Sequence, residues 1–462
     1  MLQQFTVENF LSFKDRTVLN LQPGKGSRKK EHKVEPVKGE KIVKAAAIFG
    51  SNAAGKSNLI EAVDLAKRMI LLGTPPGAPI EYRPFRLSAD SKHKDTTFIF
   101  VILVGERKYE YGFSFNSERI SHEWLYLITR RTRHIIFERT LDIPEFNLEH
   151  LLRLNIKEEE RQFLLFFAKA TPSHQLFLHE VISRNLCDNV SNTKDLDSIK
   201  DWFIDTLKVI FPDTPYKQGG MLKAANDEQL KKCFGELLGY FDTGIKGIGL
   251  KDVEFDKLGI NPELYQMIKS DLSKSNKPEA FGSLSYGNDL YLVTYNDGQI
   301  QAKKLTTLHE RIDDEGVEDF SLVDESDGTK RLFDYIPLIL DLIQGNKVFF
   351  IDEMERSLHP SLMRKLMELF FKYSNTIYTQ LIFTTHESTL MDQDLLRRDE
   401  IWLMEKTKQV SSISRLDEKF SVRFDKELER AYLKGLFGAS PKFGAESAIL
   451  SLRRVLNIEI KR

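Results

Sequence analysis

Along the first part of the chain, apolar and polar residues mix in short runs bounded by turn formers. Leu2–Phe10 and Thr17–Leu21 have the length and composition of strands. Phe98–Val104 and Lys108–Phe115 flank Gly105-Glu106-Arg107 and predict a hairpin, and Glu123–Thr129 with His134–Arg139 predicts a further pair. Ala45–Phe49 is apolar throughout, as a strand buried on both faces of a parallel sheet must be. From about Asn147 the period lengthens. Lys157–Ala170, Asp197–Phe211, Asp227–Phe241 and Pro262–Leu272 carry apolar residues at helical spacing between charges, without the sustained heptads of a coiled coil. Strands return at Asp289–Tyr295, turned by Asn296-Asp297-Gly298 into Gln299–Leu305. A helical pattern from Gly328 to Ile343 then precedes two buried-type strands, Lys347–Ile351 and Gln380–Thr384, with a helix between them. The expected fold is α/β. Residues 1–145 and 280–462 form the two halves of one head, and a helical insertion over 146–279 splits them.

Composition changes this picture little. With 41% hydrophobic and 29% charged residues the chain is globular, and its 462 residues allow three domains at about 150 residues each. The charges cancel, 67 Lys+Arg against 68 Asp+Glu, so no global field points to nucleic acid or a membrane. Two local basic patches, Lys25–Lys33 and Arg130–Arg133, could meet DNA phosphates, but solvated charge in hairpin loops is the simpler expectation. Phe163, Phe166, Phe167, Phe177 and Trp202 fall on helical faces and are expected in the core. Two cysteines, Cys187 and Cys233, cannot build a disulfide scaffold and fit a reducing compartment. Apolar stretches such as Phe163–Ala168 and Val348–Ile351 fall far short of the ~20 residues of a membrane span. The N-terminal residues lack the pattern of a signal peptide. The expected location is the cytoplasm.

The chemistry is concentrated in a few segments. Gly50-Ser51-Asn52-Ala53-Ala54-Gly55-Lys56-Ser57 matches G-x-x-x-x-G-K-[ST], between the buried strand and a helical pattern at Leu59, Ile60, Val63 and Ala66. Such a loop wraps a β-phosphate in backbone N–H groups, with Lys56 on the β/γ oxygens and the Ser57 hydroxyl on Mg²⁺. The residues expected to hold ATP are Gly50, Asn52, Ala53, Ala54, Gly55, Lys56, Ser57 and Asn58. The strand Val348–Ile351 ends in two adjacent carboxylates. Asp352 is expected on the metal side, and Glu353 as the base that takes the proton of the attacking water. Leu381–Thr385 is followed by His386, placed to touch the γ-phosphate and the water from the carboxyl edge of the same sheet. Ser326 reads as a helix cap, and Gly328 lets a phosphate approach that helix N-terminus.

The order GSNAAGKS, ESDGTKR, FFIDE, SLHP and TTH resembles the ABC-class ATPase head shared by SMC, RecF and OLD proteins. With Ser357-Leu358-His359-Pro360 after the acidic strand, it is similar to the standalone AAA-type ATPases of bacterial phage-defence loci, the RloA and AbiL types and the ATPase subunits of PARIS and Septu systems. The resemblance spans both halves of the head, supported by Pro84–Leu87, Glu123–Tyr126, Arg397–Trp402 and Tyr432–Pro441. It implies an active site shared between protomers of at least a dimer, in which Ser326 and Gly328 of one copy close on the γ-phosphate held by Lys56 of the other. It also implies a separately encoded effector such as a nuclease, because too few residues follow His386 for the Toprim domain of OLD-type chains. Asp392-Gln393-Asp394 imitates a Toprim motif but falls where the head has its own acidic turn. The signature loop has Ser and one Gly where transporter heads have Ser-Gly-Gly-Gln, and the region near Pro84–Arg86 contains no Gln for a Q-loop. The leading expectation is an ATP-hydrolysing sensor or scaffold in antiviral defence. The rivals are a RecF-like repair or chromosome-maintenance ATPase acting directly on DNA, and a module that binds ATP to assemble without turning it over.

Overall fold

The computed structural model describes residues 1–140, 145–148, 157–191, 193–214, 216, 218–273, 281–287, 289–296, 299–374, 378–420 and 427–440. The chain divides into two compact units. One comprises Met1–Val209, Val348–Met354 and Gln380–Arg462, the other Ile210–Lys347 and Glu355–Thr379.

The first unit is built on two sheets. In one, the strands run in the order Leu207–Ile210, Val348–Ile351, Gln380–Thr385, Ala45–Gly50, Ile401–Thr407, Val410–Arg415. The four from Val348–Ile351 to Ile401–Thr407 are parallel, and Val410–Arg415 returns antiparallel as a hairpin. Ala45–Gly50, Val348–Ile351 and Gln380–Thr385 are buried at every position, as the apolar runs require. The other sheet is antiparallel, with Leu2–Glu8 between Thr17–Asn20 and Thr96–Val104. Thr96–Val104 and Arg107–Phe115 form the expected hairpin, and Ile120–Ile128 pairs with Arg133–Thr140. Phe5 packs against Phe100 at 4.8 Å and edge-on to Phe350 at 6.5 Å, so aromatic rings fill the core. Gln380, fully buried, ties the sheets through its amide: Oε1 accepts from the Leu2 N–H at 2.6 Å and Nε2 donates to the Leu2 carbonyl at 2.8 Å.

The second unit pairs antiparallel strands with helices. Gln299–Glu310 lies between Ile245–Val253 and Asp289–Asn296, with Val317–Ser321 also paired to it. Residues 297 and 298 of the expected hairpin turn lie outside the described residues, as do residue 441 and residues 274–280. The helices Glu228–Tyr240, Asp327–Gln344 and Pro360–Tyr373 are amphipathic. Phe234, Leu238, Ile248, Leu292, Leu305 and Ile336 share one buried cluster of this unit.

Several expectations need correction. The helix expected over Asp197–Phe211 continues past Asp201 as a π-helical turn, Trp202–Thr206, and only then does the chain become the strand Leu207–Ile210. Ile245–Val253, in the stretch read as helical, is a strand whose alternation is broken by Gly247 and Gly249. Phe177, Trp202 and Phe167 are buried, but Phe163 and Phe166 are exposed, Phe166 to 72%. Lys25–Lys33 is not a hairpin loop. It joins strands of different sheets, and buried Arg397 donates to the carbonyls of Gly26 and Arg28 within it. Arg130–Arg133 does cap a hairpin, between Ile120–Ile128 and Arg133–Thr140.

Candidate functional site

The parallel register brings three strand ends to the same edge of the sheet, that of Val348–Ile351 two positions earlier than the other two. Thr385 lies opposite Phe49, and Ile351 opposite Phe383, so Gly50, Asp352 and His386 all follow the last paired positions of neighbouring strands. Ligands of open α/β sheets bind at this carboxyl edge.

The loop after Gly50 turns through left-handed backbone at Ala53 (φ 60°) and Gly55 (φ 109°). Gly55 has no room for a side chain, since a Cβ there would collide with the hydroxyls of Ser411 and Ser12. The helix Lys56–Leu71 then starts without any side-chain cap, so its first N–H groups and its dipole face the loop's concavity. Lys56 is buried. Its Nζ donates to the carbonyls of Gly50 at 3.0 Å and Ser51 at 3.3 Å and lies 2.9 Å from Nε2 of His386. Asn52 and Ala53 are exposed at the rim, Ala54 and Gly55 are buried, and Ser57 is half-buried beside Lys56. Asn58, expected among the ATP-holding residues, donates its side-chain amide to the Ser12 hydroxyl at 2.7 Å. Ser411 donates its hydroxyl to the Ala54 carbonyl at 2.6 Å and its N–H to the Ser12 carbonyl at 2.8 Å. Ser12 and Ser411 therefore brace the loop from behind, a role no motif announced.

At the acidic strand end, Asp352 is 4% exposed, and its Oδ1 accepts the Thr384 hydroxyl at 2.6 Å. The same Thr384 oxygen accepts the Glu353 N–H at 2.8 Å. One hydroxyl thus fixes both acidic residues. Glu353 takes φ 45°, a conformation that costs a side-chain-bearing residue about 1 kcal/mol and that recurs at functional sites. His386 is exposed just past the strand end.

The oxygen donors near the loop, the Ser57 hydroxyl and the Asp352 carboxylate, suit Mg²⁺, a hard cation that keeps several waters and shares its shell with phosphate oxygens. Among the described residues, no group of three or more His, Cys, Asp or Glu could hold a metal alone. The donor set fits a cation that arrives with a nucleotide. Asp392 and Asp394 do not form a site either, since Asp392 Oδ1 accepts the Asp394 N–H at 2.8 Å and closes a turn.

Ser326 and Gly328 belong to the second unit. Ser326 is exposed and caps the helix Asp327–Gln344, its Oγ accepting the Thr329 N–H at 3.1 Å. A Cβ on Gly328 would come within 3.0 Å of the Ser357 carbonyl, so the bare glycine permits that approach. His359 caps the helix Pro360–Tyr373 by accepting the Ser361 N–H on Nδ1 at 3.3 Å.

Comparisons with known proteins bear on this geometry. Among solved structures, the chain is similar to the SMC head domain from Thermotoga maritima, at 13% identity and a TM-score of 0.34, over 90% of this chain and 98% of that one. It is also similar to an SMC head bound to the C-terminal winged helix domain of ScpA, at 13% identity and a TM-score of 0.40, over 91% and 99% of the two chains. A head with an extended coiled coil, bound to the C-terminal domain of ScpA derived from Pyrococcus furiosus, matches at 12% identity and a TM-score of 0.34, over 90% and 97%. No curated protein matches. The family model described as "AAA domain, putative AbiEii toxin, Type IV TA system" matches residues 45–392, from the strand before the phosphate loop to just past His386. That span is well over half of the chain, and the protein belongs to this AAA-domain family of P-loop ATPases.

Proposed function

We propose that this chain is the ATP-hydrolysing sensor or scaffold subunit of a bacterial antiviral, abortive-infection system and controls a separate effector protein such as a nuclease. The family description, with its putative AbiEii toxin and type IV toxin–antitoxin system, supports the defence role. The observation that carries the catalytic reading is the Thr384 hydroxyl, which joins Asp352 and Glu353 one strand away from the phosphate loop. In this reading Gly50–Ser57 wraps the phosphates, and Lys56 turns from the Gly50 and Ser51 carbonyls to the β/γ oxygens. Ser57 and Asp352 hold Mg²⁺, which when bound neutralises charge on the phosphate oxygens. Glu353 accepts a proton from the attacking water as its oxygen bonds to the γ-phosphorus and the bond to the β,γ-bridging oxygen breaks, giving ADP and phosphate. His386 hydrogen-bonds the γ-phosphate. Ser326 and Gly328 of a second copy complete the site, so the working unit is at least a dimer with ATP at its interface. The organisation behind it is one head, residues 1–145 and 280–462, around the insertion 146–279.

The reading sets the protein in the cytoplasm, a compartment that suits its free thiols at Cys187 and Cys233. Among the described residues, no helix is long and apolar enough to cross a membrane. The test is Glu353→Gln. Turnover is expected to fall by about 100-fold or more, with ATP still bound and an ATP-dependent dimer accumulating in sedimentation. Unchanged turnover would remove Glu353 as the base.

A further inference from the structure

The segment that leads into the signature serine is fastened to the antiparallel sheet of its own unit by side chains from one strand. Thr307 and His309 stand two residues apart on Gln299–Glu310, on the same face, and both reach Glu325. The Thr307 hydroxyl donates to Glu325 Oε1, and His309 Nε2 lies 2.7 Å from the same oxygen. The Glu325 side chain is 8% exposed, so these bonds are shielded from water. The His309 ring in turn packs against Phe320, 4.6 Å between centroids. A second fastening lies just upstream. Lys304 on the same strand pairs with Asp289 at 2.6 Å, and Asp289 accepts the Ser321 hydroxyl at 2.6 Å. Ser321 begins the single turn Leu322–Asp324 that delivers the chain to Glu325 and Ser326. On the other side of Ser326, Lys330 donates to the Val323 carbonyl at 3.0 Å.

A capping serine alone needs only its own backbone geometry. Here a buried carboxylate immediately before it is held by a hydroxyl and an imidazole from a strand of the sheet, which costs desolvation and returns a fixed position. We propose that His309, with Thr307, is a positioning residue for the signature loop: through Glu325 it sets where Ser326 and Gly328 stand when a second copy closes on the nucleotide. This rests on the composite-site reading above. His309 acts on turnover through Glu325, by making the closing surface rigid.

The experiment uses the full chain and compares His309→Ala, His309→Gln, Thr307→Val and Ser326→Ala. It reads ATP turnover, ATP-dependent dimer by sedimentation, affinity of the monomer for a fluorescent ATP analogue, and the thermal midpoint. His309→Ala is expected to lower kcat and the dimer fraction about tenfold, with monomer affinity within about twofold and a midpoint close to the parent. His309→Gln, whose amide can still donate to Glu325, is expected to recover most of the turnover, and Thr307→Val to fall between. Normal turnover in His309→Ala beside an inactive Ser326→Ala overturns the proposal and leaves the composite site standing. Normal turnover in both overturns the composite site, and the proposal with it. A loss in His309→Ala that tracks a fallen midpoint and weakened monomer affinity, unrescued by Gln, shows a structural role and also overturns it.

Discussion

Lys56 Nζ and His386 Nε2 lie 2.9 Å apart, although 330 residues separate them along the chain. An ammonium can only donate, so the imidazole accepts on Nε2 and carries its proton on Nδ1. The contact exists because Gln380–Thr385 runs parallel to Ala45–Gly50 and ends level with it. In the proposed mechanism the two groups serve different steps.

Lys56→Ala is expected to weaken ATP binding about 100-fold, since a buried charge on the β/γ oxygens is lost. His386→Ala should leave affinity within about threefold and lower kcat by about 10- to 100-fold. Titration of a fluorescent nucleotide beside steady-state turnover separates the two effects. Equal losses of affinity in both variants would mean that His386 binds ground-state phosphate and has no separate part in turnover.

Thr384 offers a second test, because its hydroxyl donates to Asp352 and accepts from the Glu353 N–H in a fully buried position. Thr384→Val keeps the shape but strands a carboxylate oxygen and an N–H. The expected cost is about 1–3 kcal/mol of stability in denaturant unfolding, together with at least a tenfold loss of turnover. Thr384→Ser restores both. If Val matches wild type in turnover, the acidic pair does not depend on this bridge.

The strain at Glu353 separates stability from activity. Glycine adopts φ 45° freely, so Glu353→Gly should stabilise the fold by up to about 1 kcal/mol and raise the unfolding midpoint, while abolishing turnover. Glu353→Gln loses turnover equally but keeps the strained backbone, and its midpoint should stay near that of the parent. A destabilised Gly variant would show that the Glu353 side chain contributes to folding more than its backbone costs.

The parts of this site legible in the sequence are those whose chemistry demands fixed residue types at fixed spacing. A phosphate cradle needs its glycines, lysine and serine in one run, and a carboxylate pair at the end of Val348–Ile351 stands out against an apolar strand. Thr384, Ser12 and Ser411 were illegible because their importance arises from register between distant strands. Nothing local to Ser411 says that its hydroxyl meets the carbonyl of Ala54. Likewise, Leu207–Ile210 is four residues of mixed pattern that continue a helical period, and only its place at the sheet edge makes it a strand. The clamp on Glu325 was hidden for the same reason, since Thr307 and His309 read as ordinary strand positions.

Asp334 gives a pH-dependent prediction. It lies in the helix Asp327–Gln344, with its side chain 25% exposed and 3.5 Å from Arg331 Nη1. Burial raises its carboxyl to about 6, outweighing the opposing pull of Arg331 and of the Tyr216 N–H. A folded-state value above the unfolded one means that the native protein holds a proton the unfolded chain has released. The stability this contributes is therefore present below about pH 4 and is lost as pH rises through about 6. Above that, the native state carries a poorly solvated carboxylate. Asp334→Asn removes the ionisation and keeps the shape, so at pH 7.5 the variant should be more stable than wild type by about 1–2 kcal/mol. The advantage should shrink as pH falls through 6 and vanish near 4. Denaturant midpoints of both proteins across that range check this, and the paired comparison cancels every group that titrates alike in the two. A gain of the same size at pH 4 and pH 7.5 would rule out the carboxyl's ionisation as its source.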